Sequence, residues 1–131
     1  MATDASLTTD GLRALFDAFN RHDADAVMEF FDADCVFSAV GGDEVHGSRY
    51  ATPEAIRAAF SGVWAAMPDA RWDHYDHFVH GDRAVSQWVF TGTNSDGRRI
   101  EADGCDLFRL RAGKIIEKNA FRKQRPLIDV K

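Results

Sequence analysis

Two cysteines in 131 residues are too few for a disulfide scaffold. No apolar run approaches the roughly 20 residues that a membrane span needs. No glycine-rich loop of the phosphate-cradling kind occurs, so a nucleotide cofactor is not expected. There is no Cys-x-x-Cys, no His-Glu-x-x-His and no other spaced ligand set, so no metal is expected either. The first ten residues lack the basic start and apolar stretch of a signal peptide. The expectation is a cytoplasmic protein with Cys35 and Cys105 as free thiols, each a small buried hydrophobe rather than a nucleophile. Bases are in deficit, 16 against 21 acids, which argues against a nucleic-acid partner.

What is present suits one soluble domain, residues 1–131 with a core over about 8–125. Fifteen aromatic side chains need an interior, and the length suffices to build one. The charge is uneven. Residues 109–131 hold eight of the 16 bases and only two of the 21 acids. That end reads either as a solvated strand and tail or as an edge that faces an anion or a partner.

The first half is patterned as helices. Leu12, Leu15, Phe16 and Phe19 share one helical face behind Thr8 and Thr9 as caps. Asp23 begins a second short helix carrying Val27, Phe30 and Phe31. Cys35 to Val40 reads as a strand, broken by Gly41 and Gly42. Thr52, Pro53 and Glu54 form a helix start, with an apolar stripe of Ile56, Ala59, Phe60, Val63, Trp64 and Met67. Four strands follow, at 71–80, 83–93, 98–110 and 114–124, separated by glycine-bearing turns. The order of elements is that of an α+β fold with a mainly antiparallel sheet.

Three-residue hairpin loops would set the register. His74 then shares a row with Trp88, Gly104 and Ala120. Asp76 shares one with Ser86, Asp106 and Lys118. Phe78 shares one with Ala84, Phe108 and Ile116, and Trp72 lies opposite Phe90. All point to one face, where small residues beside Trp88 leave space for a small apolar or aromatic ligand. The other face carries Tyr75, Val85, Gln87, Val89, Cys105, Leu107, Asn119 and Phe121, with His77 also read as outward. It is half apolar, so a second copy of the chain is expected to cover it, giving a homodimer.

Phe-Asn-x-His-Asp at 19–23, Phe-Phe-Asp-Ala-Asp-Cys-Val-Phe at 30–37 and Gly-Asp-Arg-Ala-Val at 81–85 resemble the nuclear-transport-factor-two-like superfamily. Gly-Cys-Asp-Leu-Phe-Arg-Leu-Arg-Ala-Gly-Lys-Ile at 104–115 resembles its SnoaL-like polyketide-cyclase branch. The resemblance implies a cystatin-like cone, in which a curved sheet wraps around helices and encloses an apolar pocket. It also implies dimers through the outer sheet. Asp106 resembles the oxyanion-stabilising Asp of ketosteroid isomerases. The base of those enzymes would fall near Ser38 and Ala39, and the tyrosine near Leu15, so that set is not retained. The Arg and Asp of limonene-epoxide hydrolases would fall at Trp88 and Phe90, with another Asp at Ala120, and are absent too.

The candidate catalytic residues are His74, Asp106 and Lys118. His74 is the natural general base, with Asp76 placed to orient it. Asp106 and Lys118 read either as a structural ion pair or as a polarising pair for an enolate or carboxylate. Trp64, Trp72, Trp88, Phe90 and Phe108 are candidate walls for a flat ligand, or simply core. Ser86 lies among them, and His46 is a candidate for the mouth. Two functions fit: a cofactor-free acid–base enzyme acting on a small apolar carbonyl compound, or a binding or dimerisation module without catalysis.

Overall fold

The computed structural model describes residues 7–129. Met1 to Ser6, Val130 and Lys131 lie outside the described residues. Helix α1 (Thr9–Asn20) begins where the Thr8 hydroxyl accepts from the Gly11 amide. Helix α2 (Ala24–Met28) is capped by Asp23, whose carboxylate accepts from the Ala26 amide. Helix α3 (Pro53–Ala66) is capped by Thr52 with proline in its first turn. The strands are β1 (Phe31–Ser38), β2 (Arg49–Tyr50), β3 (Arg71–His80), β4 (Arg83–Thr93), β5 (Arg98–Arg111), β6 (Lys114–Arg122) and β7 (Ile128–Asp129). Phe31, expected on the second helix, instead opens β1. The two-residue β2 and β7 are too short to show a period in sequence.

The sheet order is β2-β1-β6-β5-β4-β3, with β7 paired to β5. Only the β1–β6 pair is parallel; the others are antiparallel. Helix α1 lies against β3, and α3 against β1. This is the expected α+β architecture of a curved, unclosed sheet with its helices on one side. The buried core runs from α1 (Leu12, Leu15, Phe16, Phe19) through α3 (Ile56, Phe60, Trp64) to the inner face of the sheet (Trp88, Phe90, Phe108, Ile115). On β4 buried and half-exposed positions alternate from Ala84 to Thr93, as one packed face requires.

The Phe-Asn-x-His-Asp segment is a structural clasp. Asn20 accepts from the Trp72 amide and donates to the Trp72 carbonyl, locking α1 to the edge strand β3. His22 sits at φ 57°, bonds the Ala70 carbonyl and stacks on Trp64. Asp23 then caps the next helix. One short segment thereby turns the chain and fixes it to strand β3, 50 residues on.

The register differs from three-residue loops at two of the three hairpins. Arg83 pairs with His80, not Val79, and Lys114 pairs with Arg111, not Leu110. Each displacement is followed by a bulge. On β3 the extra residue is Tyr75, between the His74–Trp88 and Asp76–Gln87 pairs. The expected pairs His74–Trp88 and Trp72–Phe90 are thereby restored, but beyond the bulge the faces swap. His77, not Asp76, lies opposite Ser86 and is buried; Asp76 and Phe78 are exposed. On β6 the extra residue is Ile116, so Ile115 is buried in its place. Asp106 then pairs with Ala120, Phe108 with Lys118 and Gly104 with Arg122. The shift is by two residues, so Lys118 and Ala120 stay on the inner face. The middle hairpin follows expectation, with Ser86 opposite Asp106 and Trp88 opposite Gly104.

Candidate functional site

Asp106 and Lys118 meet in the core. Lys118 Nζ lies 2.9 Å from Asp106 Oδ1, and Trp88 Nε1 donates to Oδ2 at 2.9 Å. Asp106 is fully buried and Lys118 is 4% exposed. The ammonium also lies 4.8 to 5.6 Å from the ring centroids of Phe19, Phe37 and Phe60. Such a cation–π cage replaces part of the water that the charge has lost. Gly104 makes this arrangement possible, because a Cβ there would run into the Trp88 ring and the Phe121 carbonyl.

A hollow of about 160 Å³ opens between α1, α3 and the inner face of the sheet. Its walls are apolar and aromatic: Phe19, Phe37, Tyr50, Phe60, Trp72, Trp88 and Phe90. Lys118 and Arg122 supply its charge. Arg122 stacks on Phe90, 5.2 Å from guanidinium to ring centroid, and burial pushes its pKa down. Of the residues expected at the site, Lys118, Trp72, Trp88 and Phe90 line this hollow. Asp106 lies behind them as the partner of Lys118. Trp64 and Phe108 are core residues away from it, and the Trp64 indole N–H has no hydrogen-bond partner among the described residues.

His74 and Ser86 lie elsewhere, in a second polar chain under α1. His74 Nε2 meets Asp17 Oδ1 at 3.0 Å, His74 Nδ1 meets His77 Nε2 at 2.8 Å, and His77 Nδ1 meets Ser86 Oγ at 2.8 Å. With both imidazoles neutral, all three bonds are satisfied in one direction. Ser86 donates to His77, His77 to His74, and His74 to the Asp17 carboxylate. Burial pushes the His77 pKa down, and His74 beside it adds to the effect. Asp17, not Asp76, is the carboxylate that orients His74. The chain ends at Ser86, which faces Asp106 across the β4–β5 pair.

His46 is not at the inner hollow. It lines a wider groove of about 710 Å³ on the opposite side of the sheet, and its Nδ1 bonds the Gly47 carbonyl. Tyr75 and Phe121, 57% and 50% exposed, lie in the same groove, and the Tyr75 hydroxyl donates to Asp103. Cys35 is buried and Cys105 half-buried, both as free thiols, and desolvation raises both pKa values. Among the described residues no three His, Cys, Asp or Glu side chains gather as a metal site, and no helix is long and apolar enough to cross a membrane.

Sequence reasoning missed Asp17, His77, Phe37 and Arg122. Arg122 was within reach of it. Lys118, Ala120 and Arg122 alternate on β6, so the face that takes the first takes the third. Asp17 and His77 were not, because only the Tyr75 bulge turns His77 inward.

The sequence profile of the SnoaL-like domain matches residues 12–118. Among solved structures, a nuclear-transport-factor-two-like protein of unknown function from Mesorhizobium loti is 30% identical, with a TM-score of 0.74 over 95% of this chain and 98% of that one. IdmH of Streptomyces antibioticus, named as a candidate polyketide cyclase, is 26% identical, with a TM-score of 0.72 over 87% and 90%. A protein of Catenulispora acidiphila with a ketosteroid-isomerase-like fold is 17% identical, with a TM-score of 0.73 over 84% and 82%. No protein of curated function matches the sequence. With the profile covering most of the chain and the cone-shaped fold shared end to end, this chain belongs to the SnoaL-like family of the nuclear-transport-factor-two-like superfamily.

Proposed function

We propose that the protein binds a small apolar or aromatic carbonyl compound in the inner hollow and acts on it by cofactor-free acid–base chemistry of the cyclase, isomerase or dehydratase kind. The observation that carries this reading is Lys118, a buried ammonium lining an aromatic hollow. Asp106 takes one of its three N–H groups. The others remain for a ligand oxygen. A carbonyl oxygen placed there gains charge on enolisation, and a fixed donor in a water-poor site stabilises that charge. The candidate polyketide cyclase among the structural relatives points the same way.

A second reading, binding without chemistry, has its own support. The titratable groups lining the hollow are Lys118, Arg122 and Tyr50. The histidine chain does not line it, so no side-chain base of ordinary basicity near neutral pH stands at its wall. Deuterium uptake alpha to the carbonyl, followed by NMR with one-ring ketones, separates the two. The enzyme reading expects uptake above buffer in the wild type and none in Lys118→Met/Asp106→Asn. Ligand bound with no uptake would establish the binding module instead.

The outer face supports a homodimer as a further part of this proposal. Tyr75 and Phe121 are half exposed there, beside Val85, Val89 and Leu107. Sedimentation at micromolar concentration should give twice the chain mass; a monomer would dismiss it.

A further inference from the structure

Five of the eight bases at the basic end of the chain are used within the molecule. Arg109 pairs with Glu117, Arg111 with Asp32 and Asp34, and Lys118 with Asp106. Lys114 and Arg125 bond backbone carbonyls. Three Lys or Arg side chains are buried or half-buried among the described residues: Arg99, Lys118 and Arg122. Arg99 has Glu101 and Lys118 has Asp106. Arg122 has no carboxylate within ion-pairing distance and no hydrogen-bond acceptor among the described residues. It has only the face of Phe90.

A half-buried guanidinium without a counter-charge carries a cost, because its water is partly gone and only the Phe90 ring replaces it. Asp106 balances Lys118, so the hollow carries one uncompensated positive charge, at Arg122. Lys118 and Arg122 lie four residues apart on one face of β6, about 13 Å along the strand. Ala120 between them adds little bulk, and it lines the same hollow. A hollow of about 160 Å³ matches the size of a single ring, since a cavity of about 150 Å³ holds benzene.

We infer that the ligand of this hollow is a one-ring carbonyl compound that also bears an anionic group, with its carboxylate or equivalent held by Arg122 and its carbonyl oxygen directed to Lys118. This deepens the reading under Proposed function and rests on the hollow being the ligand site. Arg122 is a specificity residue here and takes no part in the chemistry. Its planar fork suits a carboxylate, which accepts two parallel N–H bonds.

The test compares acids with their amides. Benzoate, phenylacetate, cyclohexanecarboxylate and 4-oxocyclohexanecarboxylate, each beside its carboxamide, are titrated by calorimetry into the wild type, Arg122→Met and Arg122→Lys. At least one acid should bind the wild type tenfold or more tightly than its amide. Arg122→Met should abolish that preference by weakening the acid at least tenfold more than the amide, and Arg122→Lys should restore part of it. Acids and amides of equal affinity, or a preference that survives in Arg122→Met, would overturn the inference and leave the hollow as a binding site for neutral compounds. No binding by any acid or amide would overturn both the inference and the reading beneath it. Thermal melts of both variants control for folding.

Discussion

Neutralising both partners of the Asp106–Lys118 pair should cost less stability than removing either one. Asp106 is fully buried and Lys118 nearly so, at 2.9 Å. Lys118→Met leaves the carboxylate with only the Trp88 indole as donor. Asp106→Asn leaves the ammonium among three aromatic rings without its counter-charge. Breaking a buried pair from one side costs about 3–5 kcal/mol. Domains of this kind hold about 5–15 kcal/mol in all, so each single variant should fold but melt early. In Lys118→Met/Asp106→Asn no buried charge remains. The Asn carbonyl still accepts from Trp88, and Met fills the space of the lysine stem. What is left is an amide N–H without a partner, worth about 1–3 kcal/mol. The pairwise coupling should therefore reach about 3 kcal/mol or more in favour of the double variant. Urea denaturation of all four proteins, followed by tryptophan fluorescence, measures it. Additive losses, with the double variant less stable than either single one, would refute the view that the two charges depend on each other.

Two further outcomes follow from the core. Because burial and then His74 lower the His77 pKa, the folded protein keeps this imidazole neutral where the unfolded chain protonates it. Its contribution is full above the ordinary histidine value of about 6.5 and lost as pH falls below it, at up to about 1.4 kcal/mol per pH unit; His77→Gln should flatten the urea midpoint between about pH 5 and 7, and parallel profiles would count against this. Gly104→Ala should cost about 1–3 kcal/mol by overpacking and displace Trp88 from Asp106, seen as a shifted tryptophan emission; unchanged emission and stability would show that the strand yields instead.

The polar groups of the interior fall into two chains that approach each other without joining. One runs from Asp17 through His74 and His77 to Ser86; the other runs from Trp88 and Asp106 to Lys118 and the hollow. Ser86 and Asp106 face each other across adjacent strands. In the neutral state Ser86 spends its hydroxyl proton on His77. The histidine chain stops at Ser86 and does not line the hollow, so His74 is better regarded as a group behind the site than as a base within it.

The faces of the sheet were legible in the sequence to a greater degree than its register, for a reason of parity. A hairpin shortened by one residue turns every side chain on the following strand to the other face. At β3 and β6 that displacement is met by a bulge, at Tyr75 and at Ile116. Two displacements of one restore the face whatever their direction. His74, Trp72, Lys118 and Ala120 therefore point inward as alternation suggests, although Lys118 sits opposite Phe108 rather than Asp106. Between hairpin and bulge the parity stays inverted, and there the pattern misleads: Asp76 and Phe78 turn out, His77 turns in. A bulge leaves no composition mark at Tyr75, an ordinary strand residue. What holds it is remote, since it follows from burying His77 against Phe16 and Ser86. The candidate site was thus readable wherever alternation ran unbroken. It was unreadable where one inserted residue, selected by partners distant in the chain, decided which neighbour faced the core.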